Sequence, residues 1–337
     1  MRTLPLILLA AFASPAMGSP TPAAPAETAP ERLDAPADAN RRLRVQVTIG
    51  GQGPYRFVVD TGAERTVISR ELAATLGLGA GEQLTITTLA ETVQVPSAVV
   101  ADLRFGRLAM DRIDAPTLPQ QSLGAEGLLG IDSLENRNVL FDFRRGQLTV
   151  GPSRSAAHQE AVAEGEIVVR ARTRYGRLIL TDATLDGQRI TVVVDTGSEV
   201  SVGNEALRAA LSRRRRLGDI RQIEVHAVTG APLQLDYART SRIRIGATTI
   251  EDLPVAFGNS HLFERLNLAR RPALLLGMDA LRLFDRVAID FATRRLRLLP
   301  PQSQRDAGVR MAAQAGDPAR RLLSASASTG GAHRNPW

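Results

Sequence analysis

The 337-residue chain contains no cysteine and no lysine; all 42 of its basic residues are arginine, and it has only four histidines. Without cysteine there is no disulfide, no thiolate metal site and no thiol nucleophile. Without lysine there is no Schiff base, no P-loop lysine and no Ser–Lys dyad. His158, His226, His261 and His333 are scattered and leave little material for a histidine metal centre. Aromatic residues make up 4% of the chain. No basic run is interleaved with stacking rings, as single-strand nucleic-acid binding requires. No apolar run approaches the roughly 20 residues of a membrane-spanning helix. Catalytic side chains must therefore come chiefly from carboxylates and hydroxyls.

What is present is an ordinary globular balance, with 44% hydrophobic and 23% charged residues and a net charge of +7. The positive excess lies in the second half, densest at Arg213, Arg214, Arg215 and Arg216. Such a run reads first as a solvated loop. At the start, Met1-Arg2, a short apolar stretch over 4–13 and Ala16-Met17-Gly18 have the layout of a secretory signal peptide cut after Gly18. The expectation is an exported protein, periplasmic or secreted, without stable membrane insertion. Residues 19–39 are rich in Pro and Ala and read as an extended linker. Residues 302–337 show no apolar periodicity and read as a disordered tail.

Between these ends the chain repeats itself at an offset of 135 residues. Val58-Val59-Asp60-Thr61-Gly62 returns as Val193-Val194-Asp195-Thr196-Gly197. Each copy closes a β-hairpin: Leu43, Val45, Val47 and Ile49 alternate with polar residues before the first, and an Asp186-Gly187 turn precedes the second. Each is followed by a short helix, over 70–76 with Ser69 as cap and over 205–211 with Asn204 as cap. A β-rich stretch comes next, then Leu128-Leu129-Gly130 or Leu275-Leu276-Gly277, then a closing hairpin over 139–150 or 287–299. The fold class expected is all-β, mainly strands with short helices, in two tandem lobes over 40–152 and 165–301 joined by a connection at 153–164.

A pseudo-two-fold arrangement of the lobes brings Asp60 and Asp195 face to face. Two carboxylates ~4 Å apart repel by about 4 kcal/mol at an effective dielectric near 20. That separates their apparent pKa values by roughly three units, so the pair holds one proton over a wide range of pH. One ionised and one protonated carboxyl around a water supply a general base and a general acid together. Gly62 and Gly197 permit tight turns whose N–H groups can donate to the carboxylates, and Thr61 and Thr196 are placed to bond across the pseudo-axis. Asp132 and Asp279, after the Leu-Leu-Gly elements, read as helix caps, and Asp142 and Asp290 as structural members of the closing hairpins.

The doubled Val-Val-Asp-Thr-Gly and Leu-Leu-Gly elements resemble the retropepsin/pepsin clan of aspartic proteases over roughly residues 43–300. The resemblance implies a closed, barrel-like acid-protease fold in each lobe, with a cleft between lobes that takes an extended peptide or protein substrate. It implies catalytic aspartates at Asp60 and Asp195, supported by Thr61, Gly62, Ala63, Thr196, Gly197 and Ser198. It places substrate-covering flaps near Thr88, Leu89, Ala90 and Glu91, and near Ala227, Val228, Thr229 and Gly230. The Ser198 hydroxyl, where the first lobe has Ala63, would bond the neighbouring carboxylate and leave Asp195 the more often ionised. No cofactor, metal or nucleic acid is implied, and a monomer suffices because one chain supplies both aspartates. The activity expected is peptide-bond hydrolysis by an aspartic endopeptidase. The alternative is a catalytically silent, protease-like peptide-binding module of the cell envelope. A two-carboxylate glycosidase explains neither the repeated Thr-Gly nor the Leu-Leu-Gly.

Overall fold

A computed structural model describes residues 30–38, 41–153, 165–305 and 310–312. The first lobe is a closed barrel of six strands, in the order Arg44–Ile49, Gln52–Val59, Gly127–Leu129, Val67–Ser69, Leu108–Leu118 and Ser97–Phe105. Alternation builds it: Leu43, Val45, Val47 and Ile49 are buried. The strand leading to Asp60 is apolar on both faces, because each face meets a different cluster. Phe57 and Val59 join the main core, whereas Val58 joins a smaller cluster with Val67, Leu118 and Leu128. The second lobe repeats the pattern, with Val192 and Val194 in the main core and Val193 beside Val200, Val202 and Leu275.

In both lobes the Leu-Leu strand runs parallel to the strand carrying the aspartate. Val59 pairs with Leu129, and Val194 with Leu276. The glycine that follows must be small. A side chain on Gly277 would stand 2.7 Å from the Val200 backbone, and one on Gly130 2.8 Å from the Thr66 nitrogen. The short helices occur as expected, Arg70–Thr75 capped by Ser69 and Glu205–Arg213 capped by Asn204. The arginine run begins at that helix's last residue and continues as an exposed turn. Unlike the first, the second lobe does not close: its strands form one extended sheet that includes its flap hairpin and the added strands Arg172–Arg174 and Arg310–Ala312.

The lobes are joined by a six-stranded antiparallel sheet in which the two closing hairpins meet, Arg137–Asp142 against Arg286–Asp290. Asp142 sits there as a structural residue, accepting from Arg145 N and from Arg286 Nε at 3.0 Å. Asp290 accepts from Thr293 N and from the Ser153 hydroxyl.

Two expectations for the chain ends are corrected. Part of the segment read as a linker is a strand, Glu31–Asp34, paired with Gln147–Val150 at the edge of the interlobe sheet. The open edge offers backbone partners, and Leu33 packs on the core, so composition was overridden by tertiary pairing. The segment read as a disordered tail contains a helical turn, Gln302–Arg305, and a strand, Arg310–Ala312, parallel to Thr249–Glu251. The signal-peptide reading over 1–18 and nearly all of the connection at 153–164 fall outside the described residues. No helix among the described residues is long and apolar enough to cross a membrane.

Candidate active site

Asp60 and Asp195 stand at the ends of their parallel-paired strands, on the floor of a cavity of about 300 Å³ between the lobes. Each carboxyl is held by its own loop. Oδ1 of Asp60 accepts from the N–H groups of Gly62 (2.7 Å) and Ala63 (3.1 Å). Oδ1 of Asp195 accepts from Gly197 (2.9 Å) and Ser198 (3.1 Å). Among the described residues no protein donor serves either Oδ2. The glycines are obligatory for another reason as well: a side chain at Gly62 would collide with the Asp195 carboxyl, and one at Gly197 with that of Asp60. The two loops therefore interlock.

Beneath the carboxyls the threonines exchange bonds across the pseudo-axis. Thr61 N donates to Thr196 Oγ1 (3.0 Å) and Thr196 N to Thr61 Oγ1 (3.1 Å). The hydroxyls in turn donate to the strand ends of the opposite lobe, Thr196 to Val59 O (2.8 Å) and Thr61 to Val194 O (3.3 Å). Four buried bonds thus fix the spacing of the aspartates. Both threonines are buried and contribute no surface to the cavity.

Burial pushes both aspartates up. For Asp60 it is opposed by the Gly62 and Ala63 N–H groups and by the Arg42 and Arg177 guanidinium groups. Asp195 is pushed up to about 7, by burial first and by the charge of Asp60 second. The charge of Asp60 acting on Asp195 couples the two carboxyls, so the pair gives up its last proton only near pH 7. The Ser198 hydroxyl does not bond a carboxylate as expected but donates to Val200 O at 2.7 Å, which removes the ground for expecting Asp195 to be the more often ionised. Arg177 acts on both carboxyls, and Arg42 adds to its effect on Asp60.

Asp132 and Asp279 are not caps, because Gly130 and Gly277 occupy the cap positions without side-chain bonds. Instead they reach back to the loops that follow the aspartates. Asp132 accepts from Thr66 N and Oγ1 (2.8 and 2.7 Å), and Asp279 from Ser201 N and Oγ (2.9 and 2.7 Å). Burial raises both, Asp279 to about 6, against the bonds from these partners.

The flap hairpins are Leu84–Thr87 with Thr92–Val95, and Arg221–His226 with Pro232–Arg239. They cross. Leu89 packs against the apolar cluster of the second lobe, and Val228 against that of the first. Thr88, Leu89, Ala227 and Val228 line the cavity, whereas Ala90, Glu91, Thr229 and Gly230 form the outer tips, joined by a bond from Thr229 Oγ1 to Glu91 Oε1 (2.7 Å). His226 is an exposed strand residue, 3.6 Å from Glu224, that also borders the cavity.

The residue pattern missed Arg42, Arg177, Glu64 and Arg265. Arg177 is 4% exposed; it donates to Gly62 O and pairs with Glu64, so a second-lobe side chain grips the first-lobe loop. Arg265 holds the same carboxylate at 3.0 and 2.7 Å and lies over the Tyr175 ring. Burial works against the Glu64 charge, but Arg265 and Arg177 outweigh it and hold the carboxyl below its usual range. Arg42 is fastened within its own lobe to Asp38 and Leu123 O. The signal was available in part: Arg42 and Arg177, like Glu64 and Glu199, are separated by the same 135 residues as the aspartates. Among the described residues no cluster suits a metal ion.

Family comparison agrees lobe by lobe. Residues 45–136 match the family described as "gag-polyprotein putative aspartyl protease", and residues 181–280 match the family described as "Aspartyl protease". The chain belongs to the retropepsin-like aspartic proteases, with two tandem lobes. No curated protein matches it.

Proposed function

We propose that the protein is an aspartic endopeptidase that cleaves extended peptide or protein substrates within one chain. The observation that carries this reading is the pair of carboxyls from equivalent loops, locked by exchanged threonine bonds and roofed by two flaps. Ionised Asp60 takes a proton from a water held between the Oδ2 atoms, and protonated Asp195 gives one to the scissile carbonyl oxygen. The hydroxyl adds to the carbonyl carbon to form a tetrahedral diol. Collapse with proton delivery to the amide nitrogen releases amine and acid and restores the shared proton. Two carboxyls sharing one proton are general to this family; the Arg42 and Arg177 guanidinium groups that oppose the rise at Asp60 belong to this chain. Substrate lies in the cleft as an added extended strand beneath the flaps. We place the mature protein outside the cytoplasm, after cleavage near Gly18.

The test is incubation of the chain from Ser19 onward with a diverse peptide library, beside Asp60→Asn and Asp195→Asn. Cleavage by the wild type that survives EDTA and falls at least a thousandfold in both variants is the expected result. Retention of peptides without cleavage by a folded wild type would instead establish the silent binding module.

A further inference from the structure

We infer that Arg65 makes this cleft select substrates carrying an acidic side chain close to the scissile bond, on the first-lobe side of the dyad. The inference deepens the peptidase reading and rests on it for the location of the bond. Four arginines line the cavity, and three are committed. Arg42 is tied to Asp38 and Leu123 O, while Arg177 and Arg265 share Glu64. Arg65 is exposed, lines the same cavity, and makes no hydrogen bond or ion pair among the described residues. Its charge is felt by Asp132, but that carboxylate is already occupied by Thr66. Glu64 next to it cannot neutralise it, because both its oxygens are taken.

Symmetry sharpens the point. The 135-residue offset pairs Arg65 with Val200, which is 6% exposed and belongs to the apolar cluster of the second lobe. At this position one side of the dyad therefore offers an unmatched cation and the other Val200, beside Val202 and Leu262, with Glu199 and Arg265 also on that side. A cavity of about 300 Å³ is at the small end for a binding site, so its lining reads the positions next to the bond being cut. An extended peptide sends alternate side chains to the same side, so one position on the first-lobe side meets Arg65. Arg65 is exposed, so such a pair is screened by salt. An acidic side chain gains there, and a basic one is repelled.

The experiment uses peptide pairs that differ only by Asp or Asn, by Glu or Gln, by Lys or Met, and by Arg or Met, at each position from four before to four after the bond. Cleavage ratios are measured for the wild type, Arg65→Val and Arg65→Glu, with thermal midpoints to show that each folds. Retention of the same pairs by Asp60→Asn, with and without Arg65→Val, is measured independently of turnover. The expected result is an acidic preference of about tenfold in kcat/KM at one first-lobe position, weakened by salt. Arg65→Val should abolish it and Arg65→Glu should turn it toward Lys or Arg. Cleavage with no acidic preference, or a preference unchanged in both variants, overturns this inference and leaves the peptidase reading standing. Retention with the Arg65-dependent preference but no cleavage supports the inference and overturns the peptidase. A wild type that neither cuts nor retains any peptide overturns both.

Discussion

At the scale of single residues, the site depends on groups that never touch substrate. Thr196 accepts the Thr61 N–H and donates to Val59 O; all three are buried. Removing its hydroxyl orphans a buried donor and a buried acceptor, each at a cost of about 1–3 kcal/mol. Thr196→Val should therefore lower the urea midpoint and reduce kcat, while Thr196→Ser, which keeps both bonds, should restore most of each. A loss confined to Thr196→Ser, with Thr196→Val behaving as the wild type, would show that the methyl group, not the bonding, matters. The aspartates and their Thr-Gly partners were legible in the sequence because the chemistry repeats there letter for letter. The arginines beside them were not. Arg42 and Arg177 lie 18 residues before their aspartates in sequence and become neighbours only when the hairpins close. Asp132 and Asp279 misled for a related reason: cap spacing is local, whereas their partners Thr66 and Ser201 are 66 and 78 residues away.

At the scale of elements, the two flaps are one device. Each hairpin reaches over the dyad to the opposite lobe, and their tips are held together by the Thr229–Glu91 bond. A neutral side-chain bond contributes about 0.5–1.5 kcal/mol net, and one to a charged group more. Thr229→Val should thus favour opening and raise KM several-fold, with a smaller effect on kcat. A fall confined to kcat, with KM constant, would contradict this role in closure. The hairpins were readable from turn residues at their middles, but their crossing was not, since Leu89 and Val228 have the same apolar character whichever lobe they meet. The strand Glu31–Asp34 was missed because its pairing comes from an available sheet edge rather than from its own composition.

At the scale of the whole molecule, burial of acids links fold stability to pH. Asp195 and Asp279 are raised from their ordinary values to about 7 and about 6. Between about pH 4 and these values the native state keeps protons that the unfolded chain has released, so stability falls as pH rises. Each changes stability by about 1.4 kcal/mol per pH unit within its own window. Denaturant midpoints should be higher at pH 5 than at pH 7.5, and Asp195→Asn should flatten the slope. A protein more stable at pH 7.5 would refute the assignment. Duplication is what made the architecture readable: one lobe's pattern, seen twice, predicts two lobes and a site between them. The open second sheet and the interlobe sheet depend on edge pairing, which no local pattern encodes.

The most direct test of the account is the pH dependence of kcat/KM between pH 3 and 9 on a peptide without titratable side chains. A shared proton on Asp60 and Asp195 predicts a bell, rising as the pair loses its first proton and falling near pH 7 as it loses the second. Activity that holds level through pH 9, or that persists in Asp60→Asn, would mean that the two carboxyls do not act as one pair.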